Sequence, residues 1–129
     1  MTLKMNEIIN FGYFYEEVKD KKLSFKVLFK LSNLAKAIDE KTLFYREKLQ
    51  EIFKEYGEFD ENGNLVPTED GRGIKVRSGT EQDCLAKINE LQSLDVELPE
   101  IKFDIDDFGD IELTIEVFNL VKPFLNEIE

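Results

Sequence analysis

From Phe25 to Tyr56 the apolar side chains recur at heptad spacing. Leu28, Ala35, Leu49 and Tyr56 fall on one position, interrupted by Thr42, and Leu31, Ile38, Tyr45 and Ile52 fall on its partner. An a/d seam over four heptads specifies a long amphipathic helix. At 1.5 Å per residue it runs roughly 48 Å, more than a small globule needs, so it must pack along another helix. The expected mate begins at Thr80-Glu81-Gln82-Asp83, a capping-box relative with Asp in place of Glu. It carries Cys84, Ile88 and Leu91, flanked by Leu85 and Leu94, to about residue 94. The pair reads as an antiparallel helical hairpin whose seam is either core or a coiled-coil face open to a partner, including a second copy.

Between these helices lies YGEFDENGNLVPTEDGRGIKV, residues 56 to 76. Gly57 reads as a left-handed cap ending the long helix. Phe59, Asn62-Gly63, then Leu65 and Val66 read as two short strands around a tight turn that needs positive φ. Asp70-Gly71-Arg72-Gly73 is a second turn, and Ile74-Lys75-Val76 a third strand. A calcium loop fails on register. Started at Asp60, it puts Asn62 and Asn64 at the third and fifth positions, but Leu65 where glycine is needed and Gly71 where the bidentate Glu belongs. The stretch is expected to be a small β-meander at the hairpin tip.

The flanks complete the plan. Residues 5 to 19 place Met5, Ile8, Ile9, Tyr15 and Val18 on one helical face, and Ser24 is positioned to cap the next helix. After Ser93, Val96 to Ile105 alternates apolar and polar residues apart from Pro99, as an edge strand or extended arm does. Asp106-Asp107-Phe108-Gly109-Asp110 is a turn. Thr114 then caps a last helix, Ile115 to about Ile128, with Val117, Phe118, Val121, Phe124 and Leu125 as its stripe and Pro123 set to kink or shorten it. The expected fold is α+β and mostly α in one domain: 1–56 helical, 57–79 the meander, 80–94 the returning helix, 95–129 an acidic strand, turn and terminal helix. With 129 residues, eleven Phe and four Tyr, such a chain buries a core without disulfides or metal.

The chain has no histidine, which removes the commonest general base near neutral pH, Ser-His and Cys-His nucleophile pairs, and most zinc sites. Carboxylate or lysine chemistry is all that is left, and no glycine-rich phosphate loop accompanies it. A single cysteine, Cys84, fits a reducing compartment and reads as a small buried hydrophobe. No run of about eighteen apolar residues could span a bilayer, and Glu7, Glu16 and Glu17 near the start do not suit a signal peptide, so a cytosolic protein is expected.

Net charge is −11, unevenly spread. Residues 1 to 56 hold eleven Lys and Arg against nine Asp and Glu; residues 57 to 129 hold six against nineteen. Such a surface repels nucleic acid and anionic lipid and suits a basic protein partner. Between residues 95 and 116 nine carboxylates face Lys102 alone. Three readings stay open: a solvated face, a Mg²⁺ or Ca²⁺ site centred on Asp104, Asp106 and Asp107, and a docking surface built on Asp104, Asp106, Asp107, Asp110 and Glu112. In the docking case, spaced carboxylates can imitate nucleic-acid phosphates.

The segments KKLSFKVLFKLSNLAKAIDE, YREKLQEIFKEYGEFDENGNLV and VELPEIKFDIDDFGDIELTIEVFNLVKPFL, with the join Glu55-Tyr56-Gly57-Glu58-Phe59-Asp60-Glu61-Asn62-Gly63, resemble a family of small bacteriophage and prophage proteins of Gram-positive bacteria whose function is unknown. The resemblance implies a phage origin and an accessory or assembly role, and transfers no catalytic residues. The expectation is a non-enzymatic protein without cofactor or metal. It works by binding another protein, first as a virion or assembly factor in the host cytoplasm, second as an acidic inhibitor of a host defence enzyme such as a CRISPR effector. A carboxylate-metal enzyme ranks third.

Overall fold

The computed structural model describes residues 1–126. Among them the chain is mostly helical, with four α-helices and one two-stranded antiparallel sheet. Contacts divide it into two compact units, Met1–Thr42 with the chain from Asp95 onward, and Leu43–Leu94.

The first unit opens with β1 (Thr2–Lys4), which runs directly into α1 (Met5–Val18). The Lys4 amide donates to Glu7 Oε1 at 3.0 Å, so an acidic side chain satisfies a free donor at the positive end of the helix. Met5, Ile8, Phe11, Phe14 and Val18 form the buried stripe, spaced three and four apart. The stripe differs from expectation: Phe11 and Phe14 take the core, while Ile9 is half-buried and Tyr15 exposed. Their rings meet those of the chain's other end edge-on, Phe11 on Phe124 at 5.2 Å and Phe14 on Phe108 at 5.3 Å, and Phe103 packs tilted on Phe108 at 5.2 Å. Five phenylalanines thus centre this core.

α2 (Phe25–Tyr56) starts where anticipated, with Ser24 Oγ accepting from the Val27 amide at 3.3 Å. Its first half buries Val27, Leu31, Leu34 and Ile38. Leu31 and Ile38 are the expected seam, but Val27 and Leu34 replace Leu28 and Ala35 one residue away. Both neighbours of each pair are apolar, so spacing alone did not choose between them. Leu28 and Ala35 instead line a surface groove with Tyr15 and Val18.

β2 (Asp95–Glu97) pairs antiparallel with β1, Leu3 opposite Val96, a strand partner that the sequence pattern did not single out. The expected strand to Ile105 ends early, because Pro99 has no amide to continue a ladder. Beyond it the arm is irregular and held point by point. The Phe103 amide donates to Phe124 O (2.7 Å) and Phe103 O accepts from the Asn126 amide (2.8 Å). Lys30 Nζ donates to Lys102 O (2.8 Å), and Lys102 Nζ to Pro123 O (2.7 Å).

α4 (Ile115–Val121) is capped as expected, Thr114 Oγ1 accepting from the Val117 amide at 3.2 Å. The α-helix stops at Val121, and a 3₁₀ turn over Lys122–Phe124 carries Pro123, which shortens the helix as its missing amide requires. Leu125 is extended and bridges Phe103, so the helix expected to about Ile128 ends early; residues 127–129 lie outside the described residues.

The second unit holds the other half of α2 and α3 (Glu81–Gln92). Ile52, Cys84 and Leu91 form its buried cluster, with Tyr45, Leu49, Tyr56, Val76 and Ile88 packed against them. Gln92 Nε2 donates to Tyr45 Oη at 3.2 Å. Burial pushes the Cys84 thiol above its ordinary pKa, as an inert core position requires.

Residues 57 to 77 form three extended stretches joined by a closed cycle of bonds. The Glu58 amide donates to Lys75 O (2.9 Å), the Lys75 amide to Val66 O (2.7 Å), and the Val66 amide to Glu58 O (2.9 Å). Each stretch therefore bridges both others, Gly57 to Val76, Phe59 to Leu65 and Pro67 to Ile74, in place of regular meander strands. Both turns use the expected glycines, Gly63 at φ 79° and Gly71 at φ 71°. Asn62 keeps negative φ: a three-residue loop ends on Gly63 while Asp60 Oδ1 accepts from the amides of Asn62 (2.9 Å) and Asn64 (3.0 Å). Gly57 is not left-handed. A Cβ there would overlap Phe53 O and approach Leu65 Cδ2 to 2.5 Å, so the position needs glycine for room.

Candidate functional site

The acidic arm separates into two kinds of carboxylate. Asp104 and Asp107 serve the backbone of a 3₁₀ turn over Ile105–Phe108. Asp107 Oδ2 accepts from the Asp104 amide at 2.8 Å, and Asp104 Oδ1 accepts from Asn126 Nδ2 at 2.7 Å. Both side chains are therefore committed to holding the arm in shape. Gly109, at φ 61°, then reverses the chain.

Asp106, Asp110 and Glu112 are exposed. With Asp107 they line one wall of an open groove of about 720 Å³, and Lys21, Lys22, Leu23 and Ser24 line the other. Among the described residues the ion pairs within 4.0 Å are Lys4–Asp95, Lys19–Glu16 and Lys48–Glu51, so the groove lysines and carboxylates face each other without close pairing. No set of three or more Asp, Glu or Cys side chains converges as a metal site among the described residues.

Behind the groove lies a feature absent from the sequence-based expectation. A pocket of about 350 Å³ shares Phe108, Gly109 and Ile111 with the groove and is walled by Ile105, Leu113, Ile115, Phe118 and Leu125. Ile105 and Ile115 remain exposed at its mouth, Ile115 at 79%. In sequence these apolar residues interleave with Asp106, Asp110, Glu112 and Glu116. An apolar cavity that adjoins an acidic groove can take an apolar side chain while charge selects a cationic neighbour beside it. In sequence the stretch from residue 105 to 116 reads as strand end, turn and helix start, and the cavity forms only where the fold brings those walls together.

One sequence signal passed over is Phe25-x-x-x-Phe29. The two rings stand one helical turn apart at the start of α2, 92% and 69% exposed, beside the exposed Lys21, Lys22 and Lys26.

Among the described residues no helix is long and apolar enough to cross a membrane. No family model matches the chain, and no curated protein or solved structure matches it.

Proposed function

We propose that this is a non-enzymatic protein that works by binding another protein through its acidic arm, most simply a phage-encoded virion or assembly factor acting in the host cytoplasm. The observation that carries the reading is the apolar pocket that adjoins, through Phe108, Gly109 and Ile111, the groove lined by Asp106, Asp110 and Glu112. Its shape and charge suit a basic segment bearing a large apolar side chain, and hot spots of this kind centre on such anchored rings. The resemblance to small phage proteins supports the same class. The cluster of Ile52, Cys84 and Leu91 supports an antiparallel hairpin of α3 on the second half of α2, a scaffold separate from the binding face.

The second reading, an acidic inhibitor of a host nucleic-acid enzyme, draws on the exposed, spaced carboxylates of the same arm. One experiment separates the two. Tagged protein is used for capture from phage-infected lysate beside a variant with Asp106→Asn, Asp110→Asn and Glu112→Gln, keeping Asp104 and Asp107 because they hold the turn. Recovery of phage structural proteins with the native form and their loss with the variant is the expected outcome. Recovery of a basic nucleic-acid enzyme instead moves the inhibitor reading ahead, and identical recoveries with both forms remove the arm as a binding surface.

A further inference from the structure

We propose that the chain pairs reciprocally with a second copy of itself, Phe25 and Phe29 of each copy seating in the apolar pocket that adjoins the acidic groove of the other. This rests on reading that pocket as a protein-binding surface and names its occupant.

The chain carries both halves of the contact. Phe25 and Phe29 are large apolar side chains left exposed at the start of α2, apart from any core. Lys21, Lys22 and Lys26 surround them in sequence, and all three are exposed. The pocket offers Ile105, Ile111, Leu113, Ile115 and Phe118, with Asp106, Asp110, Glu112 and Glu116 interleaved. Lysines beside the rings thus meet carboxylates beside the pocket, which fixes which surface suits which. At 92% exposure Phe25 does not fill the pocket of its own copy.

Placement selects a closed pair over an open chain. The groove is lined by Lys21 to Ser24, the residues just before Phe25, and by Asp106 to Glu112, which share Phe108, Gly109 and Ile111 with the pocket. A two-fold axis at such a groove carries each copy's rings to the other's pocket, the self-complementary arrangement of an isologous dimer. Four seated rings would remove roughly 600–1,000 Å² of their own surface from water. With the pocket walls added, the contact reaches the lower range of specific interfaces, which suits micromolar and reversible pairing. Global repulsion from a net charge of −11 acts against it and keeps the pairing weak.

The test is sedimentation equilibrium of the purified full chain with two variants, Phe25→Ala/Phe29→Ala, which removes the rings, and Ile115→Asp, which puts charge at the pocket mouth. All three substituted side chains are largely exposed, and circular dichroism verifies that both variants keep the native fold. The native chain is expected to dimerise at micromolar concentration and each variant alone to stay monomeric. Mixing the variants is expected to give association stronger than either variant alone and weaker than the native chain, because the mixed pair keeps one of the two ring–pocket contacts. A native chain that stays monomeric throughout, or a dimer unaffected by either variant, would each overturn the proposal. A monomeric chain that still captures its partner from lysate would sink self-pairing alone and leave the proposed function standing.

Discussion

Asp70 shows what one carboxylate does here at the residue scale. Its Oδ1 accepts from the Thr68 hydroxyl at 2.5 Å and from the Arg72 amide at 3.1 Å, closing the second turn of the 57–77 segment. Those bonds, the Thr68 hydroxyl foremost, favour the ionised form and hold its pKa below the ordinary 3.8. A carboxylate with a depressed folded pKa stabilises the fold above its ordinary pKa, and that contribution is lost as pH falls through the lowered value. Asp70→Asn is therefore expected to melt below the native protein at pH 7. The difference should shrink toward zero as thermal scans are moved down through pH 4 and below; a difference that stays constant with pH would mean that the turn does not depend on the charge. Asn62-Gly63 and Asp70-Gly71 were legible in the sequence as turns, whereas Asp60 was not singled out as a turn residue. The bonding of both aspartates was not legible, since an Asx turn depends on where the nearby amides point, which no spacing specifies.

At the scale of elements, the long helix, its Ser24 cap, α3, the Thr114 cap and the effect of Pro123 could all be read from pattern, because each rests on local backbone chemistry. What escaped was set by contacts distant in sequence. β1 has three residues and exists because Asp95–Glu97 lies beside it, and Phe11 and Phe14 are core because Phe108 and Phe124 reach them. The segment around Gly57 is the clearest case. A glycine at a helix end suggests left-handed backbone, yet this one keeps clear the space into which Leu65 packs from the far side of a turn. Gly57→Ala is expected to cost about 1–3 kcal/mol, the range for overpacking a filled site. It would appear as a lower urea midpoint with an unchanged slope. A midpoint equal to that of the native protein would contradict the close approach. The cyclic bonding of Glu58, Val66 and Lys75 makes the neighbouring stretches sensitive to the same change, since no one of the three bridges without the other two.

Across the whole molecule the charge is divided by segment: the first 56 residues are slightly cationic and the remainder strongly anionic. That division was plain in the sequence and pointed to a basic partner. The five carboxylates singled out there are now distinguished by role, Asp104 and Asp107 as supports of the arm, Asp106, Asp110 and Glu112 as its outward charges. The apolar pocket behind them was not legible, because its walls come from three short stretches that only the folded 3₁₀ turn, Gly109 and α4 bring together. Its most informative companions, Phe25 and Phe29, looked like ordinary members of an amphipathic helix, and only their exposure marks them as a contact surface.

The most direct check on this surface is a concentration series of amide and methyl NMR spectra of the native chain, read residue by residue. The account predicts that signals from Lys21 to Phe29 and from Ile105 to Phe118 move together as concentration rises through the micromolar range while the Leu43–Leu94 unit stays fixed. Spectra that do not change, or changes confined to the seam residues Tyr45, Leu49, Ile52 and Tyr56, would contradict it.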